Sequence, residues 1–225
     1  MRGGVDRHPV GLASGVALAA VSFIDFYTAR SLSLVAYVEP HQVDVVQAFE
    51  GTLSVICAVG VIGVLVSWPF VFRETHSRVT LGVLALQTVG LGLDVFALLL
   101  SALYGKRANP LYLLSEAALV HVSTVCLFSV WYTTIDHPRQ VARAQGRTVR
   151  QGISFAQNAA RYPGYEDWVP GFLDYVSFAF TVSSCLGPAE GIPLAQRVKL
   201  VMMLQVSFSI VILLVLAARA IGLIS

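Results

Sequence analysis

Long apolar stretches broken by short polar ones make up most of this chain. Four come first, at 10–27, 45–72, 79–104 and 111–134, each close to or above the ~20 residues a helix needs to cross a bilayer. A polar interval at 136–170 follows, then a short apolar piece at 172–186 and a full-length run at 200–218. Pro110 opens the fourth helix, where a missing N–H costs little. Pro138 is expected to close it, and Pro188 and Pro193 bracket the turn after the short piece. That piece spans roughly 22 Å as a helix, less than the ~30 Å hydrocarbon core. It either crosses with its flanks snorkelling or dips in and returns. The pattern predicts an all-α fold: one transmembrane domain over 1–225, a bundle of five to six hydrophobic helices with the fifth short.

Composition agrees. Hydrophobic residues make up 56% of the chain and charged ones 12%, against roughly 25% charged in a soluble domain. A lipid-facing surface explains the deficit. The net charge of +2 comes with no basic patch carrying interleaved aromatics, so no nucleic-acid partner is expected. Cys57, Cys126 and Cys185 lie in apolar runs without a Cys-x-x-Cys pair. Neither a disulfide framework, a metal site nor a cofactor is therefore expected. Arg2 and Arg7 before Ala17-Leu18-Ala19 could pass for a secretory signal, but the run continues to Ile24, so a retained helix is expected.

Loop arginines and lysines set orientation. Arg2 and Arg7, Arg73 and Arg78, and the group Arg139, Arg143, Arg147, Arg150 and Arg161 share one side if four helices cross in succession. The other side receives Arg30, Lys106 and Arg107. This places a multi-pass protein in the cell membrane with a cytoplasmic N-terminus. Arg139, Arg143, Arg147 and Arg150 recur at spacings that put them on one helical face. That face is either a surface helix touching anionic headgroups or a solvated continuation of the fourth helix.

Ionisable groups inside spans are costly and face protein or water. Asp25, Asp94, Glu116 and His121 stand out. Asp94 shares a face with Gln87 on the third run, while Glu116 and His121 belong to the fourth, with Thr124 nearby. Asp94, Glu116 and His121 form either a polar pathway for protons or small cations, or a hydrogen-bonding set that fixes packing. Asp25 and Glu116 lie close enough to helix ends to reach the interface. Gly11, Gly15 and Ala19 step by four, as do Ser54 and Ala58, which suits close helix packing. No nucleophile elbow, zinc-protease helix or phosphate loop is present. Lys199 lies at the start of the last helix, where it cannot serve a retinal.

The C-terminal part carries a resemblance. The stretch DYVSFAFTVSSCLGPAEGIPL from Asp174 to Leu194 resembles the pore helix and filter of potassium-channel-type two-helix modules. It is similar too to an uncharacterised family of bacterial membrane proteins. The shared features are Trp131-Tyr132 followed by Asp136, the Asp174-Tyr175 segment with its proline-containing turn, and the helix RVKLVMMLQVSFS from Arg197 to Ser209. The filter motif is degenerate. Aligned on Leu186-Gly187, its aromatic becomes Pro188, its second glycine Ala189 and its aspartate Glu190, and Pro188 has a fixed φ and no N–H. A potassium-channel orientation would also put the arginine-bearing interval outside, against the charge bias. Two arrangements fit the charges: six crossings with both termini cytoplasmic, or five with the short segment dipping in from the cytoplasmic side.

With nothing marking chemistry, the first expectation is a scaffold or partner of another membrane component, as a homo-oligomer or with a different membrane protein. The alternative is a channel or transporter for ions or a small solute. It would use Ser183, Ser184, Gly187, Pro188 and Glu190 at the turn, facing Asp94 and Glu116. A membrane enzyme using His121 with Glu116 for proton transfer comes last.

Overall fold

The structure, a computed structural model, describes residues 8–31, 73–104, 110–159, 164–165, 168–184 and 191–222, with isolated positions between 51 and 62. The second apolar run lies almost entirely outside the described residues, as do Gly187, Pro188 and Glu190 at the turn. In chain order the elements are α1 (His8–Ser31), α2 (Arg73–Tyr104), α3 (Pro110–Ala144), β1 (Ile153–Phe155), α4 (Ala156–Ala159), α5 (Phe172–Ser184), β2 (Gly191–Pro193) and α6 (Gln196–Gly222). Four of them, α1, α2, α3 and α6, are long and apolar enough to cross a membrane.

α3 is the centre of the bundle. It packs against α1, α2, α6 and α5, which also touch one another in that cyclic order. Leu113, Ala117, Val120, Leu127, Phe128, Val130 and Tyr132 of α3 are accordingly buried on several sides, whereas Phe23 of α1, Phe96 of α2 and Leu200, Met203 and Leu214 of α6 face outward. In a bilayer those outward side chains meet lipid, so the burial rule of water-soluble proteins applies only to the inner stripe of each rim helix.

Side-chain contacts fix the directions. Gln87 of α2 meets Leu18 and Ser22 of α1, while Asp94, two turns on, meets Thr28; α1 and α2 therefore run parallel. Tyr132 of α3 meets Gln205 of α6, and Phe128 meets Phe208 at a ring separation of 6.2 Å, so α3 and α6 run antiparallel. Gly92 of α2 lies beside Phe208 as well. The first residues of α1, α2 and α6 thus lie at the end of the bundle where α3 finishes.

Three expectations need correction. Pro138 does not close α3, which continues through it to Ala144. The missing N–H leaves the Thr134 carbonyl without its helical donor, but Asp136 and Gln140 on either side of the proline are tied to β1 by hydrogen bonds, and these hold the last turns in place. Second, Arg139, Arg143, Arg147 and Arg150 do not share a helical face. α3 stops in a Schellman turn, with Gly146 at φ 80°, Gly146 N–H on the Arg143 carbonyl at 2.8 Å and Arg147 N–H on the Ala142 carbonyl at 3.0 Å. Only Gly adopts that φ freely, so Arg147 and Arg150 lie beyond the helix. Third, the fold is not purely helical: β1 and β2 pair antiparallel, Ile153 opposite Pro193, Ser154 opposite Ile192 and Phe155 opposite Gly191. Strands this short carry no readable alternation, and Pro193 is tolerated because a two-stranded ladder has only edges.

The β pairing brings together the chain that precedes α5 and the chain that follows it. Phe155 anchors this junction edge-to-face against Trp168, Tyr175 and Phe178, with centroids 5.8, 5.6 and 6.3 Å away, a favourable aromatic arrangement. The start of α5 is capped by its own Asp174, whose Oδ2 accepts the Gly171 N–H at 2.7 Å, the reciprocal half of a capping box.

Candidate functional site

Asp94 and Asp25 meet between α2 and α1. Asp25 Oδ1 comes against α2 at Gly90, one turn before Asp94, and Thr28 Oγ1 donates to Asp94 Oδ2 at 3.0 Å. Gly90 makes room: a Cβ there would lie 3.2 Å from Asp25 Oδ1. One turn earlier, Gln87 Nε2 donates to Ser22 Oγ at 2.7 Å and to the Leu18 carbonyl at 3.3 Å. Gln87 Oε1 is buried without a partner among the described residues. Glu116 of α3 is buried too and close enough to act on Asp94 electrostatically.

His121 does not join this group. Five residues from Glu116, it sits about 140° further round α3, and its Nδ1 is buried without a partner among the described residues. The expected trio of Asp94, Glu116 and His121 therefore becomes Asp25, Asp94 and Glu116, with Thr28 as a neutral donor. Asp25 was legible only as an acid near a helix end. Its role depends on the parallel packing of α1 on α2, which no local pattern encodes.

A second polar cluster holds the end of α5. Tyr132 Oη donates to Gln205 Oε1 at 2.6 Å; Gln205 Nε2 donates to Ser183 Oγ at 2.6 Å and to the Ala179 carbonyl at 2.7 Å. All of Gln205 is thus committed, and Ser183 is turned against α6. Ser184 Oγ donates to the Thr181 carbonyl of its own helix at 3.4 Å. Gln205 lies about 14 Å along α6 from its first residue, so α5 ends alongside the middle of the apolar stretch Gln196–Ala218.

The third cluster surrounds Asp136, which has no exposed surface. Its Oδ1 accepts the N–H groups of Gly152 and Ile153 at 2.8 and 3.0 Å. Its Oδ2 accepts Gln140 Nε2 at 2.9 Å and Tyr175 Oη at 3.1 Å. Gln140 Nε2 also donates to the Ile153 carbonyl at 2.8 Å, and its Oε1 accepts Asn158 Nδ2 at 3.2 Å. One carboxyl group thus joins α3, β1 and α5. In the sequence Asp136 reads only as the residue trailing Trp131-Tyr132.

Among the described residues no group of three or more His, Cys, Asp or Glu is placed to hold a metal ion. No family model matches the chain, and no curated protein or solved structure matches it either.

Proposed function

We propose that the chain is a membrane transport protein that passes protons or small cations along the seam between α1, α2 and α3, with Asp94 as the binding group. The observation that carries this reading is the burial of the Asp94 carboxyl between α1 and α2, held by Thr28 with Asp25 one turn away. Packing alone asks for no ionisable group there; Ser, Thr or Asn would cross-link the helices without one. Carboxyls in the membrane interior are expensive and mark proton and ion routes. Because α3 fills the axis of the helix ring, such a route runs between helices.

The test is ion flux in vesicles reconstituted with the full chain, read with pH-sensitive and cation-sensitive dyes. Asp94→Asn keeps the shape and an acceptor for Thr28 but cannot release a proton. It is expected to lower flux about a hundredfold or more, the size of effect typical of losing a positioned proton-transfer group. Unchanged flux removes Asp94 from the mechanism. Absence of any flux from the wild-type chain returns the reading to a scaffold, whose partner crosslinking in membranes would recover.

We further propose that α5 is re-entrant, entering the membrane from the side of the arginine-bearing interval and returning to it. Supporting this are the pairing of β1 with β2 across α5 and the anchoring of Ser183 at the depth of Gln205. The intervening residues 185–190 can span at most roughly 21 Å, enough for the return. Helix ends at membrane depth are tolerated where protein or water covers them, and broken helices of this kind line transport sites. In a background lacking Cys57, Cys126 and Cys185, Val149→Cys and Leu194→Cys are expected to react with an impermeant maleimide from the same side, and only after lysis. Labelling from opposite sides would mean that 172–186 crosses fully.

A further inference from the structure

We infer that residues 143–150 form a strap that binds anionic lipid headgroups, attached so that an occupied strap bears on α5. Every residue from Arg143 to Arg150 is exposed, and both ends of the strap are fixed. The near end is the Schellman turn at Gly146. The far end is Gly152, whose N–H is held by Asp136 at 2.8 Å. Arg143, Arg147 and Arg150 are therefore displayed on a short tether. Arg139 belongs elsewhere: it is half-buried, with Nη1 3.3 Å from where a Gly152 Cβ would stand, next to the Asp136 cluster.

Charge and depth identify the occupant. Between Asp136 and Glu166 the sequence contains no acidic residue, so the positive potential of the strap is not cancelled locally. The Gly152 carbonyl accepts the Leu194 and Ala195 N–H groups at 2.8 and 3.1 Å, immediately before the apolar span of α6 begins at Gln196, which sets the far end of the strap at the edge of that span. Tyr165 and Trp168, stacked edge-to-face at 6.4 Å beside Phe155, have the amphipathic character of residues at headgroup level. Val149, 37% exposed among polar neighbours, adds an apolar contact suited to the interface. Guanidinium groups take phosphate oxygens bidentately, and basic clusters directly flanking a membrane helix attract anionic lipid. A lipid phosphodiester meets each of these conditions.

The attachment makes the site more than a passive contact. From the strap, Gly152 and Ile153 lead through Asp136 to Tyr175 on α5. A headgroup drawn to Arg147 or Arg150 thus pulls on the group that positions α5. Lipid binding itself requires no assumption about transport, so failure of either proposal leaves the other standing.

The experiment uses the full chain in mixed micelles containing equal phosphatidylglycerol and phosphatidylcholine, with co-purified lipid quantified by mass spectrometry. The wild-type protein is expected to enrich phosphatidylglycerol. The R143Q/R147Q/R150Q variant should lose that enrichment by about fivefold or more, given the attraction of each basic residue to an anionic surface. The R143K/R147K/R150K variant keeps the charge and should keep most of the binding, which separates recognition from misfolding. Equal retention of the two lipids by the wild type, or undiminished enrichment in the glutamine variant, overturns the proposal. Inorganic phosphate at millimolar concentration provides the other arm: displacement of the lipid by it would assign the strap to a free phosphate instead of a membrane.

Discussion

Asp136→Ala is expected to lower the stability of the folded bundle by about 3–5 kcal/mol. Four donors converge on this one carboxyl: two backbone N–H groups, the Gln140 amide and the Tyr175 hydroxyl. Alanine removes the acceptor and leaves them in a pocket without exposed surface. Each unsatisfied buried group costs on the order of 1–3 kcal/mol, and water entering the vacated space recovers part of the total. Gln140 retains its bond to the Ile153 carbonyl, which is why the sum stays below four full penalties. Asp136→Asn should fall between, because its oxygen can still serve Gly152 and Ile153 while its amide confronts another amide donor at Gln140. Thermal unfolding in detergent, followed by far-ultraviolet circular dichroism, reads the loss. Hydrogen exchange at the Gly152 and Ile153 amides locates it. An alanine variant within about 1 kcal/mol of wild type would sink the idea that Asp136 is the node of this junction.

Gly191→Ala is expected to cost about 2–3 kcal/mol by overpacking. The added Cβ would stand 2.6 Å from Ile153 Cγ2, 3.3 Å from Phe178 Cδ2 and 3.5 Å from Phe155 Cδ1. None of these neighbours can retreat easily. Ile153 and Phe155 sit on β1, whose register against β2 is set by the pairing, and Phe178 is wedged between Tyr132 and Phe155. The substitution therefore prises β2 away from both the strand and α5. Leucine at 153 lacks the Cγ2 branch, so Gly191→Ala combined with Ile153→Leu should recover part of the loss, a non-additivity a double-mutant cycle reads directly. Full stability of the single variant would show that β2 is not held where the geometry puts it.

The apolar runs made the long helices legible, because a bilayer rewards length and hydropathy in a way local rules capture. They did not reveal the helix ends. Pro138 is a helix terminator by every local criterion, and it is overridden where Asp136 accepts the Ile153 N–H and Gln140 donates to the Ile153 carbonyl, on a strand more than ten residues away. β1 and β2 were hidden for a similar reason: Ile-Ser-Phe and Gly-Ile-Pro have no meaning as strands until each finds the other. At the candidate site, Asp94 and Glu116 were visible as acids in apolar runs. Asp25 as the partner of Asp94 was not, since it depends on which helices pack in parallel. Tyr132 and Gln205 stood out only as parts of the resemblance, and they become a linked pair through the position of α5.

The central place of α3 also restricts how this molecule can change shape. A helix in contact with four neighbours behaves as an axle even though Leu111 and Val122 face outward: shifting it would disturb all four interfaces at once, since packed interiors do not deform continuously. Rim helices have one face against the axle and another against lipid, which offers little resistance to sliding or tilting. Motion in the bundle therefore belongs to the rim helices moving against α3, and because α5 touches α1, a shift of either is felt by the other.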